Sequence, residues 1–212
     1  DGDAVGSGYH GGTGNDAWVV KINATGNIIW QKAYGGTQNE YINSIIATSD
    51  GGYILGCYTY STDGYVSGNH GDADIWIVKI NSSGTIVWQK ALGGTDTEWI
   101  SVYSIVQTSD GGYLLAGSTY STDGDVTGNH GDRDIWLVKL DATGNISWKK
   151  TIGGTSDDKA FSIAPTSDGN YILSGQTFSS DGDVTGNHSS GDIWILKLTA
   201  TGNIIWQKAL AS

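Results

Sequence analysis

Four times along the chain an Asp-containing polar stretch gives way to the run Trp-[Val/Ile/Leu]-[Val/Leu]-Lys-[Ile/Leu], beginning at Trp18, Trp76, Trp136 and Trp194. A second Trp follows 12 residues after each, at Trp30, Trp88, Trp148 and Trp206, and both series repeat at spacings of 58, 60 and 58 residues. A fixed period of this size is one supersecondary unit copied in tandem, each copy too small to bury its own apolar face. Within the third copy the apolar positions break into four short segments. Ser101 to Thr108, Tyr113 to Tyr120, Asp134 to Leu140 and Asn145 to Ile152 are rich in β-branched and aromatic residues and are separated by Gly, Asp, Asn and Ser. That pattern predicts an antiparallel four-stranded meander. Nothing sustains a period of 3.6, so helix is expected to be nearly absent.

The Ile135-Trp136-Leu137-Val138 run is continuous rather than alternating, which predicts a strand covered on both faces, as when sheets stack face to face. All eight repeated Trp are therefore expected to pack between sheets. The expected fold is all-β, built from β-propeller-type four-stranded antiparallel blades. About three and a half blades are present, forming an incomplete ring, an arc or part of a larger propeller. Residues 1–40 hold a partial first blade (its outer two strands), followed by blades at 41–94, 95–154 and 155–212. The strand around Ala17 to Ile22 is left with an open edge, which proteins seldom leave unprotected. Protein partners or further copies of the chain are expected there.

The segments Ser-Ile-Val-Gln-Thr-Ser-Asp-Gly-Gly-Tyr-Leu-Leu-Ala-Gly (104–117) and Asp-Ile-Trp-Leu-Val-Lys-Leu-Asp-Ala-Thr-Gly-Asn-Ile (134–146) give this plan a parallel. In order and turn placement they are similar to the WD40 blade, without its Trp-Asp and Gly-His signatures. Together with Asp-Gly-Asp-Val-Thr-Gly-Asn-His-Gly (123–131) they resemble the highly repetitive propeller-like repeats of secreted prokaryotic surface proteins. The resemblance covers essentially the whole chain. It implies a secreted or cell-surface location beside anchoring or adhesion modules, and it brings no catalytic residues.

Composition sharpens this. The net charge of -11 disfavours nucleic acid and acidic membrane surfaces as partners, and no apolar run reaches the ~20 residues of a membrane span. The chain begins at Asp1, has no Met and shows no signal sequence, so it reads as a processed or excerpted segment. Cys57 stands where the next two copies have Gly117 and Gly175, and is expected to be a small, buried, inert thiol. Of the 22 acidic residues only Glu40 and Glu98 are Glu, which assigns the acidity to loops and turns.

The loop between the second and third strands is the place where chemistry is expected. Asp123, Asp125, Thr127, Gly128 and Asn129, closed by a carboxylate at Asp134, follow the oxygen spacing of a 12-residue calcium loop. The fourth copy repeats it with Asp181, Asp183, Thr185, Asn187 and Asp192, and the second departs, keeping Asp63, Ser67 and Asp74. Calcium is the cofactor this spacing suggests. A chain of Asx turns inherited through duplication is the alternative. His70, His130 and His188 recur beside these loops, and Tyr60, Tyr120 and Phe178 precede them. Such groups suit ligand contact, an aromatic face with a few polar groups being a common sugar site. Residues that break the repeat are Glu98, Trp99, Arg133, Lys159 and Phe161, with Trp99 read as equivalent to Tyr41 and Ala160. No nucleophile elbow, zinc-protease or phosphate-loop motif is present. These features predict an extracellular structural or interaction module that presents repeated Asp/Asn/His loops for assembly or adhesion. A multivalent glycan-binding propeller is the alternative and an enzyme on a propeller scaffold the second alternative. No catalytic residue is assigned and the chain is expected not to be an enzyme.

Overall fold

A computed structural model describes residues 14–188 and 191–211, with Val102 and Tyr103 defined through their backbone only. The loop residues Asp1, Asp3 and His10 of the first copy lie outside the described residues. Among the described residues every regular element is a strand. β1 (Ala17–Ile22) and β2 (Ile28–Tyr34) form a two-stranded sheet. β3 (Glu40–Ala47), β4 (Tyr53–Thr59), β5 (Asp74–Ile80) and β6 (Ile86–Leu92) form a four-stranded antiparallel meander. β7 (Glu98–Gln107), β8 (Tyr113–Thr119), β9 (Asp134–Leu140) and β10 (Ile146–Ile152) repeat it. So do β11 (Asp158–Pro165), β12 (Tyr171–Thr177), β13 (Asp192–Leu198) and β14 (Ile204–Leu210). The sheets stay open, as incomplete propeller-like blades.

Local chemistry fixes the turns. The Asn81 side chain accepts from Ser83 N at 3.0 Å and Thr85 N at 2.9 Å, and Asp141 does the same for Thr143 and Asn145. These Asx turns end in glycines with positive φ, 75° at Gly84 and 86° at Gly144, where a side chain would be strained. In the three four-stranded sheets the Lys of the Trp-led run reaches across its sheet to the Asp of the Ser-Asp-Gly turn: Lys79–Asp50 2.8 Å, Lys139–Asp110 2.8 Å and Lys197–Asp168 2.9 Å. Lys at that position thus closes the β3–β4 type of turn, while its apolar neighbours turn to the joints.

Three apolar clusters coincide with the three joints between successive sheets. Ala17, Val19 and Tyr34 of the first sheet pack with Leu55, Trp76, Val78 and Ile80 of the second. Ile75, Ile77 and Leu92 then meet Trp136, Val138 and Leu140, and Ile135, Leu137 and Ile152 meet Trp194, Leu196 and Leu198. Each complete blade therefore turns the Trp of its third strand toward the preceding sheet, and the Ile/Leu face of that strand toward the following one. Every residue of β5 and β9 is buried, as strands covered on both faces require. A buried indole removes ~150–250 Å² from water, a gross ~4–6 kcal/mol at ~25 cal/mol per Å². An exposed ion pair supplies ~0–1 kcal/mol, so packing holds the joints.

The innermost strands lie side by side, β7 between β3 and β11. Asn43 Nδ2 donates to Ile100 O at 2.6 Å and Ser101 Oγ to Ala160 O at 2.8 Å, linking them radially. These strands begin at Glu40, Glu98 and Asp158, slightly earlier than the sequence pattern predicts. Their register corrects one equivalence. Trp99 pairs with Ser118, Tyr41 with Tyr58 and Lys159 with Gln176, so the fourth-copy counterpart of Trp99 is Lys159, not Ala160.

Candidate functional site

The long loops between the second and third strands of each blade are fastened to the linker that enters the same blade. Asp123 accepts from Thr95 N at 2.8 Å and from Thr95 Oγ1 at 2.9 Å. Asp63 holds Thr37 and Asp181 holds Thr155 in the same way. Backbone bonds add to this: Asp125 N donates to Gly93 O at 2.7 Å and Asp183 N to Gly153 O at 2.8 Å. Asn129 and Asn187 donate to Ser121 O and Ser179 O, Thr127 O accepts from Thr151 Oγ1, Thr185 N donates to Gln207, and Ser67 accepts from Gln89. Residues of the calcium-loop spacing thus make hydrogen bonds along this seam. Among the described residues no three His, Cys, Asp or Glu side chains are grouped to hold a metal ion.

At the far end of the loop a histidine clasps the first residue of the third strand. His70 Nδ1 lies 2.7 Å from Asp74 Oδ2, His130 Nδ1 2.7 Å from Asp134 Oδ2 and His188 Nδ1 2.8 Å from Asp192 Oδ2. The same carboxylate oxygens accept from the histidine backbone N–H. The histidines sit where the sequence expected loop residues, and one ring nitrogen of each is used to close the loop.

Asp74 and Asp134 also each face a second carboxyl group, an arrangement that no sequence motif marks. A Cβ placed on Gly93 would overlap both Asp74 Oδ1 and Glu98 Oε2, and one on Gly153 would overlap Asp134 Oδ1 and crowd Asp158 Oδ2. Burial pushes Asp74, Glu98, Asp134 and Asp158 above the usual carboxylate range, against the pull of their hydrogen bonds, and the facing acid raises Glu98 and Asp134 further. Asp192 is instead lowered, chiefly by its hydrogen bonds with His188. Glu98 is therefore no break in the repeat, because Glu40 and Asp158 occupy its place. The signal available in the sequence was a constant separation of 24 residues between partners.

The same end of the blades carries aromatics. Tyr58 is sandwiched between Tyr41, at 4.9 Å between ring centres, and Trp99, at 5.8 Å. Trp99, 45% exposed, and Tyr120, 39% exposed, line a depression of about 390 Å³ with Asp96, Thr97 and Asp132. The Arg133 guanidinium lies 5.1 Å from the Tyr120 ring and forms a 2.9 Å ion pair with Asp157. Of the other aromatics expected to meet a ligand, Tyr60 is half-buried with its edge toward Tyr58, and Phe178 is half-buried beneath the Lys159 ammonium at 5.2 Å. The loop aromatics thus sit in unlike settings, and only Tyr120 among them borders this depression.

The repeated Trp divide by position. Trp76, Trp136 and Trp194 are buried, and Trp30, Trp88 and Trp148 are half-buried against the next sheet. Trp18 at 44% and Trp206 at 47% are exposed, which corrects the expectation that all eight pack between sheets. They occupy the two outward faces of the array, where no described sheet lies beyond them. Cys57 is fully buried, and burial pushes its thiol far above the ordinary value.

No family model matches the chain. The regulatory protein FlaEY of Caulobacter vibrioides is 27% identical over 142 residues, which is 63% of this chain and 15% of the relative. The chain thus spans a small part of that relative's length. A crystal structure of a protein of unknown function from Bacteroides caccae aligns with 90% of the chain and 74% of its own length, at 10% identity and a TM-score of 0.46. A variant of the Synechocystis apocarotenoid oxygenase aligns with 90% of the chain and 44% of its own length, at 14% identity and a TM-score of 0.45. Enzymes are thus among the similar structures, which corrects the expectation that the chain is not an enzyme. Likeness at this identity concerns fold alone and assigns no reaction to the chain.

Proposed function

We propose that the chain is an assembly module of a secreted or cell-surface protein, an array of blades that engages protein partners through its terminal sheets. The carrying observation is where the large exposed apolar side chains fall. Trp18, Ile22 and Ile28 stand exposed on the first sheet, and Ile193, Trp206 and Leu210 on the last, although their equivalents at the inner joints are covered. Apolar surface gathered on a protein's outer faces marks an interaction surface, and among the described residues β1 pairs with β2 alone, which leaves its other edge for a further strand. The fastened loops supply rigidity to that scaffold. The test is protection on association: amide exchange along β1 and iodide quenching of the exposed indoles, compared between dilute and concentrated protein. Protection rising with concentration supports assembly, whereas free exchange and full quenching at every concentration sinks it.

The Trp99–Tyr120 depression favours a second reading, a glycan-binding surface. Two exposed rings beside Asp96 and Asp132 combine a stacking face with hydrogen-bond acceptors for hydroxyls. Glycan-array binding lost on Tyr120→Ala and on Trp99→Ala would support it.

A further inference from the structure

Trp30, Trp88 and Trp148 each insert against the turn between the third and fourth strands of the following blade. Trp30 Nε1 donates to Ser82 O at 3.1 Å and its ring closes on Gly84, where a Cβ would sit 3.2 Å away. Trp88 Nε1 donates to Ala142 O at 3.2 Å and covers Gly144, with a Cβ there 2.8 Å from the ring. Trp148 covers Gly202, again at 2.8 Å. The contact is thus made three times within the chain, always from one blade to the glycine of the next. Two halves of it remain unmatched. Trp206 is 47% exposed, and the first turn of the series, at Gly26, has no described residue within 4 Å of its Cβ position.

The faces around these two residues are also those that pair elsewhere. Ile193 and Leu210 flank Trp206 on the last sheet, and their equivalents Ile75 and Leu92 pack against the Trp136 face of the following blade. Ile22 and Ile28 border the Gly26 turn and Trp18 stands further along β1, and their equivalents Ile80, Ile86 and Trp76 receive the preceding sheet. All six terminal residues are exposed.

We infer that the last sheet of one copy docks on the first sheet of a second copy, with Trp206 seated on the partner's Gly26 turn as Trp30 is seated on Gly84. This rests on the assembly reading above and names the partner as the chain itself. The contact is head-to-tail, so it uses different surfaces on the two copies and either closes a ring or extends a filament.

Analytical ultracentrifugation of the 212-residue chain, with Trp206→Ala and Gly26→Asn variants, tests this. Asn adds the missing Cβ and tolerates the positive φ of 83° at Gly26, and circular dichroism melts establish that both variants fold. The expected result is concentration-dependent association of the parent chain, weakened about 30-fold in each variant, as for loss of a central Trp anchor. Mixing the variants leaves one intact joint, Trp206 of one copy on Gly26 of the other, and restores a discrete dimer. A mixture that stays monomeric overturns the inference, as does a monomeric parent chain, whether Trp206 is quenched or protected by closure within one molecule. Association that survives both variants overturns this contact while leaving the assembly reading in place.

Discussion

Asp74 and Glu98 bring their carboxyl groups to the same point beside Gly93, across the joint between the second sheet and the third. Both are fully buried, and sharing one Cβ position places them within the ~4–6 Å over which like charges disfavour each other's ionisation. Asp134 and Asp158 repeat the arrangement at the next joint. Because burial raises these acids above their unfolded values, the folded chain binds more protons than the unfolded chain from the ordinary carboxylate range upward. Their contribution to stability therefore falls as pH rises through that window. The Lys-paired Asp50, Asp110 and Asp168 act oppositely, being held well below the usual range by hydrogen bonds to Lys or to a neighbouring Thr. Their contribution is lost as pH falls through the ordinary carboxylate range. Urea denaturation should accordingly show greatest stability at mildly acidic pH, roughly 5 to 6. Asp74→Asn should flatten the alkaline side and add about 1 kcal/mol at neutral pH, since an amide can accept from His70 N and donate toward Glu98. A stability that rises from pH 5 to neutrality would contradict this account.

Trp136 is buried with no acceptor among the described residues for its indole N–H, although Trp76 and Trp194 donate theirs to Gln89 at 2.7 Å and Gln207 at 2.9 Å. The difference is one residue, because Lys149 stands where the other copies have Gln. A buried donor without a partner costs ~1–3 kcal/mol. Lys149→Gln should therefore stabilise the chain by about 1 kcal/mol in thermal melts. The reverse change, Gln89→Lys, should destabilise it by a similar amount. No change in either would mean that the indole N–H finds an acceptor other than Gln.

Fastening of the loops by Asp123 and Asp181 leads to a different expectation from that of the calcium spacing. Asp123→Ala removes two hydrogen bonds to Thr95, so amide exchange should quicken at Thr95 and along 121–132 while β8 and β9 stay protected. The carboxylate is exposed, and the effect should be local. Adding calcium or chelator to the parent chain should leave its melting temperature unchanged. A rise with calcium that disappears in Asp123→Ala would restore the ion to the loop.

How far the sequence could be read follows from what a one-dimensional pattern contains. The Trp-led runs and the Gly/Asp turns place all the described strands to within a few residues, because alternation and turn chemistry act locally. Trp18 and Trp206 could not be told from Trp76 and Trp88, since the same motif surrounds all four and only a neighbouring sheet decides burial. The spacing from Asp123 to Asp134 resembled a ligand set, yet the partner of Asp123 is Thr95, 28 residues upstream on another turn. The facing acids were equally hidden: Asp74 and Glu98 belong to different motifs and meet only because one blade stacks on the next. Trp99 was visible as a departure from the repeat, but its stacking on Tyr58 of β4 depends on how the third sheet lies against the second.

The Trp-on-glycine contact can be weighed within a single chain. Gly26 and Gly144 occupy equivalent turns with φ of 83° and 86°, so Ala at either position carries the same strain, ~1–2 kcal/mol. They differ in what lies above them. A Cβ at Gly144 would come 2.8 Å from the Trp88 ring, whereas one at Gly26 would meet no described residue within 4 Å. Overfilling a packed contact costs a further ~1–3 kcal/mol. Gly144→Ala should therefore lower stability in urea by more than Gly26→Ala by about that margin. Gly202→Ala, facing Trp148 at 2.8 Å, should follow Gly144. The comparison should also depend on concentration. In dilute protein the Gly26→Ala cost reflects backbone strain alone, and it should grow wherever a second copy seats Trp206 on that turn. Equal losses at Gly26 and Gly144 in dilute solution would show that the indoles contribute nothing specific to the joints.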